Sequence, residues 1–87
     1  MPLYMDIHEN VPEGTTVQDV AGAHAADVSV QGKFGVDYRS YWVNEDDGQV
    51  DKVFCLVEAP DREAAVAVHK EAHGLLADRL HEVVGGA

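Results

Sequence analysis

The chain opens on an alternation. Leu3, Met5 and Ile7 alternate with Tyr4, Asp6 and His8, which predicts a strand over Leu3 to Glu9. Pro12, Glu13 and Gly14 supply a turn. Thr15-Thr16-Val17-Gln18 has the capping-box form, a hydroxyl at the N-cap and Gln18 three residues later. The helix it starts places Val17, Val20, Ala21, His24, Ala25 and Val28 on one stripe, with Gly32 as its C-cap.

Two strand-like runs follow. Val36 to Val43 is dense in aromatic and β-branched residues, and Val53 to Glu58 is the second run. Between them Asn44 to Asp51 is acidic, contains Gly48 and reads as an exposed hairpin loop. Asp61, after Pro60, is a good N-cap for a second helix whose apolar positions are Ala65, Val68, Ala72, Leu75 and Leu76, with its end near Gly74. Leu80 to Val84 closes the chain as a short strand, and Gly85-Gly86-Ala87 is expected to fray.

The order β-α-β-β-α-β predicts one α+β domain over residues 1–87, of ferredoxin-like type. Its sheet is antiparallel with the first and third strands central, and both helices cover one face. The third strand is apolar on both sides: Phe54 and Leu56 point one way, Val53, Cys55 and Val57 the other. Such a strand needs cover on the face away from the helices, so a homodimer packed sheet to sheet is expected. Length argues the same way, since a chain this short buries only roughly 60% of its unfolded surface.

Sixteen acidic residues against six basic ones give a net charge of −10. With no basic patch, that surface repels phosphate backbones and anionic lipid, which excludes nucleic acid as a partner, and it attracts cations. No apolar run approaches the roughly 20 residues that span a bilayer. Met1 to Asp6 lacks the basic start and apolar core of a signal peptide. Cys55 is alone, so no internal disulfide forms, and a reducing cytoplasm is the expected location.

The residues that could carry chemistry are mostly histidines. His69 and His73 stand at i and i+4 in the second helix, a spacing that suits nickel, zinc, copper or cobalt. His24 falls near the middle of the first helix's apolar stripe. An imidazole there needs partners, because leaving it unpaired costs about 1–3 kcal/mol. It is either a satisfied core group or a ligand or acid–base group aimed into a polar pocket. Glu58 ends a central strand, where a carboxylate is usually paired or functional. Cys55 lies three residues before Glu58 and projects to the opposite sheet face, so the two cannot share a site within one subunit. His8 and His81 form an alternative ligand set if the register of the first and last strands sets them opposite each other; shifted by two, His8 faces Arg79. Tyr38, Arg39, Tyr41 and Trp42 suit a dimer interface, or the wall of a ligand cavity between facing sheets.

Several catalytic classes are absent from the pattern. There is no glycine-rich phosphate loop and no nucleophile elbow. Cys55 in an apolar strand lacks the electropositive, exposed setting of a nucleophile. Three readings follow. The first is a non-catalytic protein that binds a divalent metal through His69 and His73, then His24 and Glu58. The second is an enzyme of the dimeric α/β-barrel kind, an isomerase, cyclase or cofactor-free monooxygenase, with His24 and Glu58 as acid and base in one apolar pocket. The third is an interaction module whose histidines matter only for stability.

The run Val53-Phe54-Cys55-Leu56-Val57-Glu58-Ala59-Pro60-Asp61, followed by Val68-His69-Lys70-Glu71-Ala72-His73-Gly74, resembles a group of small bacterial proteins long described as a domain of unknown function. His24 before Ala25-Ala26-Asp27, and Gly35-Val36 ahead of Tyr41-Trp42, are similar to the same group. The resemblance covers nearly the whole chain and is most specific from Cys55 to Gly74. It implies a ferredoxin-like homodimer that binds nickel, with a role in sequestration or detoxification. It assigns no ligands here. The acidic stretch Asn44–Asp51 looks longer than that family's pattern.

Overall fold

The computed structural model describes residues 1–86. In chain order it contains β1 (Leu3–His8), α1 (Val17–Val30), a 3-10 turn (Gln31–Phe34), β2 (Asp37–Asp46), β3 (Gln49–Glu58), α2 (Arg62–Ala72) and β4 (Arg79–Val83). The strands form one antiparallel sheet in the order β2-β3-β1-β4, so β1 and β3 are the central pair. Two helices on a four-stranded antiparallel sheet are compatible with the ferredoxin-like expectation. Ala87, part of the tail expected to fray, lies outside the described residues.

Local chemistry sets the element ends, in places one residue from where the sequence suggests. Thr16, not Thr15, is the N-cap of α1: its hydroxyl accepts from the Asp19 amide at 3.1 Å, and the Asp19 carboxylate accepts from the Thr16 amide at 2.9 Å. The Thr15 hydroxyl instead donates to the Pro12 carbonyl at 2.6 Å. The left-handed residue after α1 is Gly35, at φ +67°, rather than Gly32, because the 3-10 turn intervenes. Asp61 caps α2 by accepting from the Ala64 amide at 2.8 Å, and Gly74 ends it at φ +76° with its amide on the His69 carbonyl. The acidic stretch Asn44–Asp51 is not a loop. Asp47 and Gly48, at φ +51° and +78°, make a two-residue turn with both central residues left-handed. The twist of such a turn matches the flanking strands, so β2 and β3 continue right up to it.

The face under the helices carries Tyr4 and Asp6 from β1 and Val53, Cys55 and Val57 from β3, all buried. A register shift between Tyr38 and Ser40 brings Tyr38 opposite Val57 and Tyr41 opposite Cys55, so both rings face the helices. Met5, Ile7, Phe54 and Leu56 are half-buried on the other face, where Trp42 is 52% exposed. The α1 stripe is rotated from the one expected. Val20 and Asp27 are buried while Val17 and Val28 are exposed. The cause is Asp27, whose partners lie on α2 and turn that side of α1 inward. In α2, Ala65, Val68 and His69 are buried, whereas Leu75 and Leu76 lie past its end and are half exposed.

Candidate metal centre

His69 is the hub of the layer between helices and sheet. Its position on α2 points the ring at the sheet, and it is 3% exposed. Nδ1 lies 2.8 Å from Asp27 Oδ1 on α1, and Nε2 lies 2.9 Å from Asp6 Oδ2 on β1. One imidazole thus ties three elements together. Tyr38 stacks on it, with centroids 4.5 Å apart and planes at 28°. The Tyr38 hydroxyl donates to Asp6 Oδ2 at 3.0 Å and lies 3.1 Å from the Ala65 carbonyl.

The electrostatics follow from this clamp. Burial alone disfavours a charged His69, but the hydrogen bonds to Asp27 and Asp6 outweigh it and lift its pKa to about 9. Both ring nitrogens therefore carry protons at neutral pH. Burial would raise the Asp6 carboxyl, yet the hydrogen bond from His69 and the nearby His8 ring hold it well below the usual carboxylate range. Burial, and then the negative charge of Asp6, push the Tyr38 hydroxyl and the Cys55 thiol far above their ordinary values, so both stay neutral.

His73, just past the end of α2, adds a second imidazole. Its Nε2 lies 3.1 Å from the same Asp27 Oδ1, and its Nδ1 accepts from the Leu75 amide at 3.0 Å. In the neutral ring Nε2 is then the protonated nitrogen. Burial, only partly opposed by Asp27, holds the His73 pKa below its ordinary value. From β1, His8 Nε2 comes within 3.4 Å of Asp6 Oδ1, a buried oxygen with no hydrogen-bond partner.

Two ligand groups result among the described residues. One is Asp27, His69 and His73; the other is Asp6, His8, Cys55 and His69. Within each, the ligand atoms lie within 4.8 Å of one another. Nitrogen, carboxylate oxygen and a thiol form a donor set suited to borderline first-row ions, nickel among them.

The structure brings some of the sequence candidates together and separates others. His69 and His73 share Asp27, as helical neighbours should. His24 is one turn from Asp27 on α1; its ring lies 4.9 Å from that of Tyr41, and its buried Nδ1 has no partner. Glu58 lies opposite Leu3 on the outer face and pairs with Arg39 at 3.4 Å, apart from every histidine of the cluster. Because the sheet separates His24 from Glu58, the acid–base pair of the enzyme reading does not form within a subunit. His81 faces Met5 across β1 and β4, while Ile7 faces Arg79. His8 and His81 therefore sit on opposite faces, and neither considered register is the real one. Cys55 and Glu58 do project to opposite sides, and Cys55 shares its side with Asp6, its cross-strand neighbour.

Asp6 and Asp27 were missed. The reasoning applied to Glu58, that a carboxylate on a central strand needs a partner, applies with more force to Asp6 in mid-strand. Asp27 shares the arc of His24 at i+3, a signal hidden by assigning the apolar residues of α1 to the core.

Beside the cluster, between helices and sheet, lies a cavity of about 430 Å³, whose walls include His24, Asp27, Tyr41, His69, His73 and Leu76.

The chain is thus a two-helix, four-strand α+β domain with an aspartate–histidine cluster, in its central layer, that could hold a metal ion. The chain belongs to the nickel responsive protein SCO4226-like family, whose model matches residues 4–83. This is the small bacterial family that the residues resemble. The chain is similar to SCO4226 from Streptomyces coelicolor A3(2), known from its crystal structure, at 34% identity and a TM-score of 0.82, over 98% of this chain and 99% of that one. No curated protein matches it significantly.

Proposed function

We propose that the protein binds a divalent first-row metal, nickel in keeping with its family, at Asp27, His69 and His73, without catalysis, and works as a cytoplasmic homodimer in sequestration or detoxification. The observation that carries this reading is the convergence on one oxygen: Asp27 Oδ1 is 2.8 Å from His69 Nδ1 and 3.1 Å from His73 Nε2. Adjacent ligands of an ion with bonds of about 2.1 Å stand about 3.0 Å apart, so each imidazole already has that spacing from Asp27, and the three ligand atoms lie within 4.8 Å of one another. Asp6 would then act on the far nitrogen of His69, fixing tautomer and ring orientation as carboxylates commonly do behind a metal-bound imidazole.

Protons must leave for the ion to enter. His69 gives up the proton on Nδ1 and keeps the one shared with Asp6. His73 moves its proton from Nε2 to Nδ1 and loses the bond from the Leu75 amide. The Asp6, His8, Cys55 and His69 group is the weaker alternative, because burial and Asp6 hold its thiol neutral. The half-buried apolar face bearing Met5, Ile7, Phe54, Leu56 and Trp42 supports the homodimer, since a second copy would cover it.

Calorimetric titration of nickel into untagged protein tests the reading. Asp27→Asn and His73→Ala should each weaken binding by more than about tenfold, the effect expected when a ligand is lost. Glu58→Gln should bind as the parent does. Parent-like affinity in both site variants removes the assignment.

A further inference from the structure

We propose that the protein has a second metal site, built from Asp6 Oδ1, His8 Nε2 and Cys55 Sγ on the two central strands, which takes a tetrahedral, thiolate-binding ion of the zinc type. Asp6 and Cys55 stand opposite each other in the β1–β3 register, and His8, two residues on from Asp6, shares their face. Neighbouring positions thus present a carboxylate, an imidazole and a thiol, whose ligand atoms lie within 4.8 Å of one another. The His8 ring is braced by that of His69, with centroids 5.1 Å apart.

Within this group one oxygen is unused. Asp6 is 1% exposed, and its Oδ2 is occupied by His69 Nε2 at 2.9 Å and the Tyr38 hydroxyl at 3.0 Å. Oδ1 is equally buried and has no hydrogen-bond partner, which costs about 1–3 kcal/mol in a fold with no ion there. His8 Nε2 lies 3.4 Å from it, close but not bonded. Two ligands at the corners of a tetrahedron, each about 2.1 Å from a central ion, stand about 3.4 Å apart. The Asp27 contacts, at 2.8 and 3.1 Å, are nearer the spacing of ligands at right angles, as around six-coordinate nickel. Geometry therefore sorts the two clusters toward different ions.

The donor set points the same way. A neutral buried thiol tells against nickel here, but an ion that bonds strongly to thiolate displaces the proton. The S–H bond breaks, a bond from sulfur to the ion forms, and the proton passes to solvent. The resulting thiolate and the Asp6 carboxylate together balance the charge of a divalent ion, and His8 adds a neutral nitrogen. No ligand is shared with the Asp27 cluster, because Asp6 holds His69 through Oδ2 alone. Access comes from the cavity of about 430 Å³, whose walls include His8 and Cys55. The cavity also leaves room for water at the fourth corner of the tetrahedron.

The test is titration of cobalt(II) into the intact, untagged protein without oxygen, followed by absorption spectroscopy. Tetrahedral cobalt absorbs strongly in the visible and octahedral cobalt only weakly, while a thiolate ligand adds a near-ultraviolet charge-transfer band. Strong visible bands and the sulfur band are expected together, and stoichiometric zinc should abolish both. His8→Gln should weaken the cobalt binding that gives these bands by more than about tenfold, the effect of a lost ligand. Cys55→Ala should lose them, and Glu58→Gln should give the parent spectrum. A dispersed amide NMR spectrum establishes that each variant folds, and His8→Gln decides the matter if Cys55→Ala does not. Weak octahedral bands alone in the parent overturn the proposal, as do bands that zinc leaves in place or parent-like affinity in His8→Gln. Because the two clusters share no ligand, the sulfur band reports on this site whatever nickel does at Asp27.

Discussion

Asp6 and His69, 63 positions apart in the chain, meet at 2.9 Å in the centre of the fold. The pair joins the middle of the sheet to the helix layer, and with Asp27 it makes a buried carboxylate–imidazolium–carboxylate triad. Removing its centre leaves two desolvated carboxylates facing each other. His69→Ala should therefore cost about 3–5 kcal/mol of stability, the range for an orphaned buried charge. Urea denaturation measures it, and a loss below about 1 kcal/mol would show that the triad does not hold the layers together.

The same triad sets the pH dependence of the metal-free protein. The folded pKa of His69 is raised from 6.5 to about 9. Its contribution is fully present below about 6.5 and is lost as pH rises through about 9. Asp6 is lowered, so its contribution is present above the unfolded carboxylate value and is lost as pH falls through its own pKa. His73, held below 6.5, gives a smaller opposing term, since its protonation on acidification favours the unfolded chain. Stability should thus decline on the alkaline side between pH 6.5 and about 9. Denaturation midpoints across that range in the parent and His69→Gln would show it; an alkaline decline of equal size in the variant contradicts the assignment.

Metal uptake should release protons. Near pH 7 the Nδ1 proton of His69 has to leave, so about one proton per ion should appear in the medium. Above about 9, where His69 has already lost one, the release should vanish. Calorimetry in buffers of different ionisation enthalpy reads this number directly. Release that persists unchanged at high pH places the ion elsewhere.

The outer sheet face bears on the proposed dimer. Trp42 lies opposite Phe54 in the middle of that surface. Trp42→Glu should shift the protein to monomer in sedimentation equilibrium while leaving nickel affinity within about threefold of the parent, because the proposed ligands come from one subunit. A dimer that survives the substitution places the contact on another surface.

Much of the fold was legible because its signals are local. Asp61 and Gly74 bound α2 through a side-chain cap and a left-handed glycine, and the two-faced apolar run of β3 announces a central strand. The errors have separate causes. Asp27 turns α1 toward His69 and His73, partners 42 and more positions away, and no periodicity within α1 records that. Hydrophobic patterning therefore favoured Val17 and Val28, which are exposed. The Asp47-Gly48 turn was a local signal that the surrounding acidic residues concealed. His8 and His81 depended on a strand register that depends on tertiary pairing alone. His69 and His73 were visible through their spacing, whereas the carboxylates that complete the site come from other elements.

The most direct test is crystallographic: anomalous diffraction at the nickel edge from crystals of untagged protein grown with stoichiometric nickel. The account predicts a peak among Asp27 Oδ1, His69 Nδ1 and His73 Nε2, with Asp6 still bonded to His69 Nε2. A peak only at exposed groups such as His81, with the Asp27–His69–His73 cluster intact and empty, would contradict it.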